Sequence, residues 1–201
     1  MNTVSRCSVD MRVKYYEDNL NQDRMEKRNV LKLLNDDDSR LGILPKLTQT
    51  NDPEIIWEII SLFDAEKIEV RGEVFSTLFL NENDILEQLL KGLKHESKNV
   101  RGYTLLVIAN RNEKDATKEI IELTNDSSGL VRTCAYGALG HLKVKESSKE
   151  LHQGIFDSNL EAVKSAAYAL ARINEKISQE EIDSMKRLER IDFEKIFKFF
   201  N

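Results

Sequence analysis

The chain has 201 residues, 40% hydrophobic and 32% charged, with 30 Lys and Arg against 35 Asp and Glu for a net charge of −5. This balance suits one substantial domain and excludes a disordered majority, and no run approaches the roughly 18 consecutive apolar residues of a membrane span. Basic residues gather in no arm, standing 9 against 8 acidic in 1–50, 16 against 21 in 51–177 and 5 against 6 in 178–201; since nucleic-acid affinity draws mainly on clustered Lys and Arg, a nucleic-acid partner is not expected.

At the N-terminus, MNTVSRCSVDMRVKYYEDNL alternates charged and apolar residues and lacks an apolar core ahead of small cleavage residues. No export signal is read there, and a cytoplasmic protein is expected. Residues 1–22 match nothing downstream and are expected to form a flexible leader, with Met11 and Met25 as alternative in-frame starts. Cys7 and Cys134 lie far apart without a paired spacing, so two idle or buried thiols are expected.

Residues 23–177 are organised by a repeat. Only Pro45, Pro53 and eight glycines punctuate the chain, so helices must carry the fold. Val70-Arg71, Val100-Arg101 and Val131-Arg132 recur at spacings of 30 and 31, and Val163-Lys164 follows 32 later. One apolar series, Leu47, Leu78, Ile108, Leu139 and Leu170, steps by 31, 30, 31 and 31. A second, Val30, Ile60, Leu90, Ile121 and Leu151, steps by 30, 30, 31 and 30. Two apolar series sharing one period mark five stacked helical hairpins.

In chain order, the first helices are expected at 24–35, 53–63, 84–94, 115–124 and 147–156. The second helices follow at 39–49, 67–80, 98–111, 129–142 and 160–174, with Pro45 interrupting the first of them. Asp64, His95, Asp126 and Asp157 stand 31 apart just ahead of the second helices, where a short acidic side chain is expected to cap the free amides. Residues 178–201 read as a helical cap. Ser178 and Glu181 form a capping-box pattern ahead of Ile182, Met185 and Leu188, and Asp192 is expected to open a last helix through Phe200.

The best-formed second helix, VRTCAYGALGHL, puts Val131, Ala135, Ala138, Leu139 and Leu142 on one face, with small residues where helices must approach closely. With Asp126 before Val131-Arg132 and Ala135, Ala138, Leu139 and Gly140 after it, the segment resembles HEAT repeats and the phycobilisome-lyase type of HEAT-like repeat. Ala162-Val163-Lys164 through Ala169-Leu170-Ala171 is the next-best match. The resemblance implies an all-α fold, a right-handed α-α superhelix of about five hairpins. It also implies that Arg40, Arg71, Arg101 and Arg132 form an internal ladder with the repeated aspartates, instead of an anion-binding surface.

No phosphate-binding, nucleophile-elbow or HExxH string occurs, so neither a catalytic residue nor a cofactor is assigned. His95, His141, His152 and Cys134 do not assemble into the three or four ligands that a metal needs. Some HEAT-like enzymes, the deoxyhypusine hydroxylases, hold iron with repeated His-Glu pairs at the start of the second helix. The sole His-Glu here, His95-Glu96, falls in a turn.

Phe75, Phe79, Tyr103, Tyr136 and Tyr168 recur along the second helices, chiefly as inter-repeat packing. Positions 2, 6 and 10 of each second helix fall near 200°, 240° and 280°, away from the buried stripe, at about 100° per residue. In HEAT-like stacks that arc lines the concave side. Leu80, Leu106, Asn110, His141, Tyr168 and Arg172 are therefore the expected partner-binding floor, mixing apolar, aromatic and hydrogen-bonding types where an idle face would carry Lys and Glu. The expectation is a non-enzymatic protein-interaction module or scaffold whose partner is another protein. The alternative is a HEAT-like enzyme or accessory subunit of the lyase or DNA-repair type.

Overall fold

The computed structural model describes residues 24–188, so the leader at 1–22 and the last helix from Asp192 lie outside the described residues. Among the described residues there are five helical hairpins, one further helix and no strand. Residues 24–34 are helical (α1) and are followed by α2 (Arg40–Ile43), which passes into a 3₁₀ turn, Leu44–Leu47, at Pro45. The second hairpin is α3 (Pro53–Ser61) and α4 (Ile68–Phe79); the third is α5 (Leu86–Gly92) and α6 (Lys98–Asn110). The fourth is α7 (Thr117–Glu122) and α8 (Gly129–Leu142), the fifth α9 (Ser148–Gly154) and α10 (Leu160–Arg172), and α11 (Gln179–Arg187) closes the described stack. No described helix is long and apolar enough to cross a membrane.

One continuous core runs through the stack, built from the apolar stripe of every second helix. Leu78, Ile108, Leu139 and Leu170 are all at most 1% exposed, as their series requires. The upstream series needs a correction. Ile60 and Leu151 are buried, but Leu90 and Ile121 are only half-buried, and the residues one position earlier, Leu89 and Ile120, are the ones fully enclosed. α5 and α7 are thus turned by one residue relative to α3 and α9, so the position that faces the core moves from Leu90 to Leu89 and from Ile121 to Ile120.

What ends the second helices is also periodic. Asn112, Lys143 and Asn174 adopt left-handed backbone at φ 57°, 56° and 62°. Beyond each of them a backbone N–H reaches back into the last turn: Glu113 to the Ile108 carbonyl, Val144 to Leu139 and Glu175 to Leu170. This hydrogen-bonded termination satisfies carbonyls that the helix would leave bare, and turns the chain toward the next hairpin.

The aspartates do not cap the second helices. The N-cap of α8 is Ser128, that of α10 is Asn159 and that of α4 is Lys67. Asp126 and Asp157 instead accept from the amides of Ser128 and Asn159, each at 2.7 Å, one turn residue ahead of the helix. His95 takes the same place in its repeat, its Nδ1 accepting from the Ser97 amide.

Freed from capping, the two carboxylates form the ladder. Arg101 donates through Nε and Nη2 to Asp126 at 2.8 and 3.0 Å, and Arg132 donates likewise to Asp157 at 2.7 and 2.7 Å. Each arginine also donates through Nη1 to two carbonyls of its own turn, so one guanidinium ties a hairpin to itself and to the next. Burial would raise both carboxyls, but the Arg101 and Arg132 guanidiniums and the turn amides outweigh it and hold them below the ordinary carboxylate range.

The ladder stops where His95 replaces the aspartate. Arg71 donates to the Ala65 and Glu66 carbonyls and lies over the Tyr103 ring at 5.8 Å. Arg40 pairs with Asp37 instead of Asp64, whose carboxylate accepts from Ser97 and Asn99. At this end other groups join the hairpins. Arg111 donates to the carbonyls of Leu78, Asn81 and Asn83 and pairs with Glu113, while the buried Asn81 donates to the Thr50 carbonyl.

The capping box of α11 forms as its spacing predicts, with Ser178 and Glu181 exchanging hydrogen bonds. Glu181 also meets His152 Nδ1 on α9, which ties this helix to the fifth hairpin. Burial raises its carboxyl, yet the Ser178 amide and His152 draw it below the ordinary value.

Candidate functional site

The site is made by how closely the last second helices approach. At Gly140 on α8 a side-chain carbon would stand 2.6 Å from the Ala169 Cα on α10, so only glycine permits this separation. At Gly154 it would stand 2.7 Å from the Ala166 Cβ and 2.8 Å from the Tyr136 ring. In α6, Val107 stands where α8 and α10 carry the smaller Ala138 and Ala169.

Across α6, α8 and α10 runs a groove of about 420 Å³. Its floor is small and apolar: Ala109, Gly137, Ala138, Gly140 and Ala169. Its walls are Leu106, Asn110, His141, Ser165, Tyr168 and Arg172. Five of the six residues expected from the helical arc therefore meet in one cleft. Leu80, the residue after α4, is 57% exposed and does not line it. Leu106 is half-buried, whereas Asn110, His141, Tyr168 and Arg172 are exposed.

The five are spaced by repeat geometry. Leu106, Gly137 and Tyr168 occupy one row at steps of 31, and Asn110, His141 and Arg172 the row one turn further on. Gly137 is the gap in the first row, and a side-chain carbon built there meets nothing within 4 Å. Asn110 donates to the Leu106 carbonyl within its own helix. The ionisable residues of the lining are Arg172 and His141, with no carboxylate beside them.

The aromatics divide. Tyr103 stacks on Phe63 at 5.2 Å and Tyr136 is buried, both as packing, whereas Phe79 and Tyr168 are 44% and 42% exposed. Cys134 sits against Gly102, Tyr103, Leu106 and Leu130, and burial pushes its thiol up to about 11, which leaves it a protonated and inert group at neutral pH. Among the described residues no cluster of three His, Cys, Asp or Glu could hold a metal ion.

Stacked hairpins with a continuous core and a groove across their second helices define an α-solenoid. Residues 86–171, from the start of α5 into α10, match the family model for HEAT repeats. It is similar in fold to a designed armadillo repeat protein at TM-score 0.52 and 20% identity, over 85% of this chain and 95% of that one. A second designed armadillo repeat protein, solved in complex with the peptide (KR)4, gives the same figures. Computationally designed armadillo repeat proteins for modular peptide recognition align at TM-score 0.50 and 18% identity over 85% of this chain and 95% of that chain. No curated protein matches the sequence.

Proposed function

We propose that this chain is a non-catalytic interaction module that holds a peptide segment of another protein in the groove between α6, α8 and α10. The observation that carries this is the groove itself: a floor of alanine and glycine flanked by Leu106 and Tyr168 on one row and by hydrogen-bonding side chains on the next. A floor of such small residues leaves room for a partner's side chains, and exposed aromatic and Arg residues around it are the types that dominate interface energy. The peptide-bound armadillo design supports the class of partner, since its fold is similar and its occupant is a peptide. The lining also lacks the acidic residue that a base-excision chemistry would place beside its aromatics.

The test fills the groove without disturbing the fold. Gly137→Gln places a side chain into open space. Affinity capture from the native cell, read by mass spectrometry, should lose its specific partner with this variant and with the Tyr168→Ala, Arg172→Ala double variant, without a fall in melting temperature. Partners retained by both variants would place the interaction elsewhere on the molecule.

A further inference from the structure

Resting on that reading, we infer that the groove selects an acidic segment: a peptide whose apolar side chain enters the Ala/Gly floor and whose neighbouring carboxylate pairs with Arg172. The molecule as a whole carries −5, yet the ionisable residues lining the groove are one arginine and one histidine. The local sign is opposite to the global one.

Arg172 differs from the arginines that begin or end the other second helices. Arg40, Arg101, Arg111 and Arg132 each pair with a carboxylate, and Arg71 donates to two carbonyls and faces Tyr103. Arg172 has no hydrogen-bond or ion-pair partner among the described residues, and neither has His141 one turn across the cleft. The guanidinium presents a planar fork of donors that matches a carboxylate in two parallel hydrogen bonds, as Arg101 and Arg132 show within this chain. A basic segment laid in the same groove meets Arg172 with no carboxylate in the lining to receive it, so like charges face each other.

The apolar part of the ligand follows from the floor. Ala109, Ala138 and Ala169, at most 3% exposed, close the bottom of the groove, and the missing side chain at Gly137 leaves a slot between Leu106 and Tyr168. An aliphatic side chain fits that slot, with the carboxylate reaching the Asn110, His141 and Arg172 row one helical turn away.

The probes are three fluorescein-labelled octapeptides, (EL)4, (KL)4 and (QL)4, titrated with the full chain and followed by anisotropy at low and moderate salt. The expected result is (EL)4 tightest, by about two- to five-fold over (QL)4, the effect of one exposed but well-formed ion pair. Arg172→Glu, checked for an unchanged circular dichroism spectrum and melting temperature, should abolish or reverse the order. Equal binding of (EL)4 and (KL)4, or a preference unaltered by Arg172→Glu, overturns the inference. If that binding is still lost in Gly137→Gln, the groove stands as the binding site and only its charge selection falls. Binding by none of the peptides, or binding indifferent to Gly137→Gln, overturns both.

Discussion

Gly137 and Gly140 stand three residues apart in α8, and adding one methyl group to each should move stability in opposite directions. In Gly140→Ala the new carbon would lie 2.6 Å from the Ala169 Cα and 2.7 Å from its Cβ, both in the neighbouring helix. Carbon atoms in contact rest at about 3.5–4.0 Å, so α8 and α10 must separate by roughly 1 Å. Overpacking of this kind costs about 1–3 kcal/mol, and replacing a mid-helix glycine by alanine returns about 0.5–1 kcal/mol. The net is a loss of up to about 2.5 kcal/mol, which for a chain of this size lowers the melting temperature by up to about 10 °C. In Gly137→Ala the methyl group meets nothing within 4 Å. Only the helix-propensity gain remains, and the melting temperature should rise by about 1–4 °C. Thermal unfolding followed by circular dichroism reads both variants. Two shifts of the same sign would refute the close approach of α8 and α10, and with it the geometry of the groove.

Leu139→Ala should cost about 2–5 kcal/mol in denaturant unfolding, because Leu139 is fully enclosed and leaves a cavity; a loss below about 0.5 kcal/mol would contradict its register. The ladder makes stability acid-sensitive. Asp126 and Asp157 have folded pKa values below the ordinary 3.8, so their contribution is fully present above that value and is lost as pH falls through the depressed one. The urea midpoint should therefore drop more steeply below pH 4 in the wild type than in an Asp126→Asn, Asp157→Asn variant, which is weaker at pH 7; parallel pH curves would count against the ladder. Lys143→Gly should stabilise by about 0.5–1 kcal/mol, since Lys143 occupies left-handed backbone at φ 56° that costs a residue with a Cβ about 1 kcal/mol; a lower melting temperature would argue that its side chain makes a compensating contact.

How much of this was legible in the sequence depends on the range over which each feature is set. Hairpin number, the second-helix core series, the break at Pro45 and the Ser178–Glu181 cap follow from local rules, because a helical period assigns burial to every third or fourth residue and a cap is satisfied within four. The same arc placed Leu106, Asn110, His141, Tyr168 and Arg172 on one side of their helices, and the fold brings these five into one cleft. Other features had weaker signals. The left-handed residues Asn112, Lys143 and Asn174 recur at 31, a spacing visible in the chain, but Lys143 is not a residue type that advertises left-handed backbone.

The phase of the second helices comes from interactions within about four residues, and its recurrence every 30 or 31 residues stands in the amino-acid order, which is enough to read an α-solenoid here. The partner of each polar group is another matter. Arg101 and Arg132 reach carboxylates 25 residues away, Arg111 reaches carbonyls 28 to 33 residues away, and Asp126 and Asp157 accept from turn amides where local rules would have them cap a helix. Leu80 was equivalent to Asn110 by position, yet it does not line the cleft that the later helices form. The width of that cleft is set by a contact between Gly140 and Ala169, small residues already marked in their own repeats, but only the packed helices show that these two meet. Helix-to-helix distance is a property of pairs of surfaces, and no single-chain period encodes it.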